Sequence, residues 1–250
     1  MSRKSSWKLF ALVLAASAVS STYAQTPAIP KHGKEARLFN GKDLSNFDIY
    51  LKSTGLNSDP THVFTVENGV VHVSGKDMGY FITKTEYKNY YLRAEFKWGE
   101  GTFAPREGQA RDSGILYNIQ GDQKVWPRSL EFQINEACTG DIWLTDGGAL
   151  TDKDGKRIEG PAGGGLKIDR FNKGPIQNVT GYRDPVNEVE KPHGEWNVVE
   201  LVNRNGHVWH YVNGKLVNEG TDAFPNTGKI LFQSEGAEVF FRNITLAPLK

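Results

Sequence analysis

Cysteine is nearly absent: Cys138 is the only one in 250 residues. It cannot close an internal disulfide, and a zinc site built on paired cysteines is excluded. Long apolar runs are missing too. None reaches the roughly 18–20 residues of a membrane-crossing helix, which rules out a multi-span protein. Neither charge is in excess, with 30 Lys and Arg against 29 Asp and Glu. No long amphipathic helical pattern and no repeat of fixed period is visible. The glycine-rich phosphate loop, the dinucleotide fingerprint, His-Glu-x-x-His and Gly-x-Ser-x-Gly are all lacking. What is present is 38% hydrophobic, 11% aromatic and 24% charged residues with 27 Gly and 11 Pro, which suits a globular protein with a large core.

Arg3, Lys4 and Lys8 precede the apolar stretch Leu9 to Val19, and Thr22-Tyr23-Ala24 supplies a small residue at a cut. This three-part pattern predicts a signal peptide over 1–24, cleaved after Ala24, and export to the periplasm or beyond the cell. No lipobox cysteine follows it, so no stable membrane insertion or lipid anchor is expected. Removing three bases leaves 27 against 29 acids, net −2. A near-neutral exported chain lacks the clustered basic surface that nucleic acid requires. Residues 25–35, with prolines and a glycine, read as a tether. Residues 36–250 read as a single domain.

Strand signals dominate that domain. Val63–Val66 and Val70–Val73 flank Glu67-Asn68-Gly69, and Asn-Gly between β-branched runs predicts a hairpin. From Tyr90 to Trp98 apolar and polar residues alternate, which predicts a strand with one buried and one wet face. Ile115–Ile119 and Leu130–Ile134 are shorter candidates. Val198–Asn203, His207–Val212 and Lys215–Asn218, joined by Asn-Gly turns, predict a meander that Ile230–Ser234 and Val239–Leu246 continue. Strands with turns every ~8–12 residues point to an all-β sandwich or barrel. Residues 146–194, rich in Gly, Pro and charge, read as an irregular insertion covering one sheet face.

The chemistry concentrates on Ser129 to Glu136, where Glu131, Gln133 and Asn135 share one face and Phe132 and Ile134 the other. Such a polar row suits a solvated outer surface as well as a site. Its flanks are chemically loaded, however: Arg111, Asp112, Tyr117, Lys124, Trp126, Asp141 and Trp143. Flat aromatics beside carboxylates and amides are how sugar sites are built.

The chain resembles the secreted 3-keto-disaccharide hydrolase domain family. The resemblance rests on Leu38-Phe39-Asn40-Gly41-Lys42-Asp43-Leu44, Asp112-Ser113-Gly114-Ile115, Val125 to Gln133, and Thr139-Gly140-Asp141-Ile142-Trp143. It continues in Gly194-Glu195-Trp196-Asn197, His210-Tyr211-Val212-Asn213-Gly214 and Phe241-Arg242-Asn243-Ile244. The family implies a concanavalin A-like jelly-roll β-sandwich of the lectin and glucanase type. It also implies cleavage of glycosides whose C3 hydroxyl is already a ketone, so that a separate oxidoreductase supplies the substrate. Such chemistry needs a base near C2, a donor or cation for the enolate oxygen and an acid for the leaving oxygen.

On these grounds Glu131, His210 and Lys124 are the catalytic candidates. Arg111, Asp112, Gln133, Tyr117, Trp126, Glu136, Asp141 and Trp143 are the substrate-binding ones. His210 shares its strand face with Val208 and Val212, which equally suits a semi-buried structural histidine. A divalent metal ion held by Glu131 and a histidine would suit an enolate, but the sequence specifies no ligand set. Two other readings stay open. A laminarinase-like glucanase would use two carboxylates about 5–5.5 Å apart, with Glu131 and Glu136 as the pair if a bulge turns Glu136 inward. A non-catalytic carbohydrate-binding module would use the same surface without turnover.

Overall fold

The computed structural model describes residues 27–175 and 179–249. The expected signal peptide and Gln25-Thr26 of the tether lie outside the described residues. No described residue is helical, so among the described residues no helix is long and apolar enough to cross a membrane.

The described chain is a sandwich of two antiparallel sheets. The larger runs β12 (Arg157–Glu159), β11 (Ala149–Thr151), β16 (Lys215–Phe224), β15 (His207–Val212), β14 (Asn197–Arg204), β7 (Tyr90–Thr102), β18 (Ala237–Pro248), β5 (Val70–Val73) and β4 (Phe64–Glu67). A short β1 (Ala36–Arg37) adds to β18. The smaller sheet runs β13 (Gly165–Ile168), β10 (Ile142–Thr145), β9 (Arg128–Asn135), β8 (Asp112–Gln120), β17 (Lys229–Ser234), β6 (Gly79–Thr83), β2 (Phe47–Leu51) and β3 (Gly55–Leu56).

Period-two alternation builds the core between them. On β7, Tyr90, Leu92, Ala94, Phe96 and Trp98 are all at most 4% exposed. They meet Phe132, Ile134, Phe81 and Phe232 from the other sheet, and Phe81 and Phe232 stack with ring centroids 4.8 Å apart. The hairpin at Asn68-Gly69 forms with both residues at positive φ, 51° and 78°, the backbone a tight two-residue turn demands.

Three expectations need correction. The strands β14, β15 and β16 form the expected meander, but β17 and β18 do not continue it. The link 225–228 carries the chain to the opposite sheet, where β17 pairs with β8 and β6, and β18 returns between β7 and β5. The outer face of β7 is not simply wet. Residues 27–35 lie along it: His32 stacks on Tyr91 at 4.1 Å, Gly33 donates its N–H to the Pro248 carbonyl, and Tyr211 donates to that of Pro27. Finally, residues 146–168 are not irregular, because β11 and β12 extend the larger sheet and β13 the smaller. Only after Asp169 does the chain run without strands to Trp196, among the described residues.

Candidate active site

Alternation on β9 turns Phe132 and Ile134 into the core and Glu131 and Gln133 outward, beneath a cleft of about 640 Å³. Each neighbouring strand supplies one wall. Trp143 of β10 sits opposite Glu131 in register. Trp126 and Lys124 come from the loop between β8 and β9, Gly163 and Gly164 from the connection before β13, and Gly165 from its first position. A Cβ on Gly165 would lie 3.0 Å from the Trp143 ring, so the glycine lets that strand close over the indole without crowding it. Lys124 Nζ donates to Asp146 Oδ2 at 2.6 Å, and Asp146 Oδ1 accepts from the Gly163 N–H at 2.7 Å. These two bonds join the cleft's walls at its rim.

The other end is ionic. Arg106 pairs with both Asp112 and Glu235, and Gln133 donates to Asp112 Oδ1 at 2.6 Å. Glu131 itself is 5% exposed, and its Oε1 is buried without a hydrogen-bond partner. Burial pushes its carboxyl well above the ordinary glutamate range, helped by the negative charges of Glu235 and Asp112 and opposed by Arg106. Asp112 is raised by burial and by Glu235 against the pull of Arg106. A buried carboxyl of raised affinity for protons, beside flat aromatics and fixed cations, is equipped to take a proton from a bound ring and steady the resulting anion.

Of the residues named from sequence, Glu131, Lys124, Asp112, Gln133, Trp126 and Trp143 line this cleft. The other five lie elsewhere. His210 and Tyr117 are in the sandwich interior, fully buried. His210 stacks on Phe132 at 4.1 Å, on the face of β9 opposite Glu131. Its Nδ1 faces the Gly140 carbonyl at 3.3 Å and must carry the hydrogen, so Nε2 accepts from the Tyr117 hydroxyl at 3.0 Å. Burial lowers its pKa to about 3, leaving a neutral imidazole. A metal ion shared by Glu131 and His210 is therefore not a fit. Among the described residues no group of three or more His, Cys, Asp and Glu is arranged to hold one.

Arg111 and Glu136 pair with each other. Glu136 Oε1 accepts from Arg111 Nη1 at 2.9 Å and Oε2 from the Arg111 backbone N–H at 2.8 Å, with Gly181 also donating to Oε1. With both oxygens occupied, Glu136 does not face Glu131 as a second carboxylate. Asp141 is fully buried, accepting from the Arg170 backbone N–H at 2.7 Å and Lys173 Nζ at 2.9 Å.

Sequence reasoning missed Arg106, Glu235 and Gln233. Arg106 and Glu235 stand in connections, where no periodicity marks a side chain's direction. Gln233 had a signal, since it alternates with the core residue Phe232 and so must face outward like Glu131.

Comparison with known proteins bears on the fold and the family. No curated protein matches the chain. Two solved structures of candidate glycosyl hydrolases from Parabacteroides distasonis share its fold. One has a TM-score of 0.54 at 22% identity, covering 86% of this chain and 94% of that one. The other has 0.53 at 23% identity, covering 87% and 100%. The carbohydrate-binding module CBM66 from Bacillus subtilis aligns with a TM-score of 0.50 at 10% identity, over 74% of this chain and 90% of that one. These likenesses concern the fold. Residues 34–247, nearly the whole described chain, match one family, and the protein belongs to it: the 3-keto-alpha-glucoside-1,2-lyase-like domain family, a carbohydrate-active group.

Proposed function

We propose that this protein cleaves 3-keto-glycosides by elimination across C1 and C2, followed by hydration. The observation that carries the reading is the Glu131 carboxyl, buried at the cleft floor beside Trp143 with an unpartnered oxygen. A ketone at C3 acidifies the C2 hydrogen. Ionised Glu131 removes that proton, and the electron pair passes into an enolate whose oxygen is steadied by the cleft cations Arg106 and Lys124. Collapse of the enolate breaks the C1–O bond, and Glu131 returns the proton to the leaving oxygen. The products are a free alcohol and a ring with a C1–C2 double bond conjugated to the ketone. Water adding its oxygen to C1 and a proton to C2 completes net hydrolysis. Trp126 and Trp143 stack on the sugar, while Gln133 and Asp112 accept and orient its hydroxyls.

The ketone has to be installed by a separate oxidoreductase, since the chain carries no dinucleotide fingerprint. The signal-peptide pattern of residues 1–24 supports a site of action outside the cytoplasm for both steps.

The test incubates the protein with matched native and 3-keto disaccharides, with and without chelator, alongside Glu131→Gln. Turnover of the keto sugar alone, reduced at least about 100-fold in the variant, is expected from loss of a general base. Cleavage of the unoxidised glycan, or binding of glycans with no turnover of either, overturns the reading.

A further inference from the structure

Glu131 does not stand alone on the outer face of its sheet. Gly114 of β8 pairs with Gln133, and on its other side β17 runs with Leu231 opposite Leu116 and Phe232 opposite Ile115, which brings Gln233 beside Gly114. The position of a Cβ on Gly114 lies 2.1 Å from Glu131 Oε1 and 2.7 Å from Gln233 Oε1. Two side chains from strands on either side of β8 thus lean into the one gap that a glycine leaves. Both oxygens are buried and neither has a hydrogen-bond partner. Gln233 is 2% exposed, so water does not make good the loss.

Two buried acceptors turned to the same gap repel each other unless a proton lies between them. Only Glu131 can supply it. As a neutral acid, its O–H donates to the Gln233 oxygen and both atoms are satisfied. As a carboxylate, it needs a donor instead. An amide offers one after a half-turn about its last bond, because its NH₂ then takes the place of its oxygen. An amide therefore serves both states from one position without changing its own charge.

We propose that Gln233 is the positioning residue of Glu131: its amide gives its oxygen to the neutral acid and its nitrogen to the carboxylate. Glu131 Oε1 is therefore held in either state, and the rest of the carboxyl is presented to the cleft. The charged groups that also face Glu131 are Asp112 on β8, Glu235 after β17 and Arg106 before β8, with Lys124 across the cleft. None of them can exchange donor for acceptor while keeping its own charge. The catalytic consequence rests on the reading of Glu131 as the base, but the hydrogen bond does not.

The sign of the effect of removing the amide follows. A bond to a carboxylate is charge-assisted and stronger than one to the neutral acid. Its loss, together with a more apolar surrounding, favours the protonated form, so Glu131 titrates at higher pH. Gln233→Leu and the near-isosteric Gln233→Met are compared with the native protein in two measurements. The first follows Glu131 by carbon-13 NMR of the glutamate carboxyls, assigned by difference from Glu131→Gln, with no substrate present. The second is the pH profile of kcat/KM on a 3-keto disaccharide. The expected result is a Glu131 titration and an acid limb both displaced upward by about one pH unit, with roughly tenfold loss of kcat/KM on that limb. A Glu131 titration unmoved in the folded variants overturns the proposal. If no 3-keto sugar is turned over, the functional reading fails by itself, while the NMR titration still decides the role of Gln233.

Discussion

Glu131 and Gly114 are fitted to each other: the carboxyl of the first lies where a side chain on the second would begin, 2.1 Å from the Cβ position. The two are not directly paired, since Leu116 is the register partner of Glu131. The carboxyl reaches diagonally along β8 into a space that any larger residue would fill.

Gly114→Ala should therefore injure function far more than folding. The atoms its methyl meets are the ends of flexible side chains, which can swing aside at a cost of about 1–2 kcal/mol. Glu131 then points elsewhere. Steady-state kinetics should show kcat reduced about 100-fold with the melting transition shifted by only a few degrees. Unchanged kcat would separate the gap from the chemistry.

The aromatic walls should act on binding. Trp126 is 45% exposed and Trp143 faces Glu131 across the strand pair. Trp126→Ala should raise KM roughly tenfold and leave kcat nearly intact, as for loss of one stacking contact. A fall in kcat at constant KM would give Trp126 a different part.

His210 should prove structural. Unfolded, its imidazole takes up a proton below about 6.5; folded, it does so only near 3. Protons are then bound more by the unfolded chain, so stability declines as pH falls from 6.5 towards 3, by up to about 1.4 kcal/mol per unit. His210→Phe should remove that slope. It should also leave the Tyr117 hydroxyl without its partner, at about 1–3 kcal/mol near neutrality. Denaturant melts across this range check both effects, and the activity of the folded fraction should be retained.

Glu190 reverses the sign. It is half-buried beside Trp98, whose indole N–H it accepts at 3.0 Å, and bonded to Thr139. Burial raises its pKa to about 8. The folded state keeps a proton that the unfolded state releases near 4.5, so stability declines as pH rises from 4.5 to 8. Glu190→Gln should flatten the stability curve between pH 4.5 and 8 by roughly 1 kcal/mol per pH unit. Equal slopes for the two proteins would show Glu190 ionised in place.

Much of this was legible from residue types in order, and the reason lies in parity. Glu131 and Gln133 could be assigned a face because Phe132 and Ile134 between them are unmistakably core. The same rule warned about His210, whose neighbours Val208 and Val212 on its face are buried. Arg111 was misleading because it is one residue from Asp112, and one residue reverses the face. Asp112 meets Arg106 and Gln133, while Arg111 turns to Glu136 and to the carbonyls of Gly99 and Glu100. Arg106 and Glu235 lie 129 residues apart and meet only because the chain crosses after β16 to set β17 beside β8. No local pattern encodes such a meeting. The strands at 149–168 escaped notice for a related reason, since they are short, glycine-flanked extensions whose pairing partners, rather than their own propensity, make them strands.

Elimination is distinguished from direct hydrolysis by the fate of the hydrogen at C2. A 3-keto disaccharide is cleaved by the protein in deuterium oxide, and the recovered 3-keto monosaccharide is examined by mass spectrometry and NMR against an enzyme-free control. Elimination followed by hydration places one solvent deuterium at C2 in every turnover. A product that keeps its original C2 hydrogen would mean that the glycosidic bond breaks without proton abstraction, contradicting the role of Glu131 as the base.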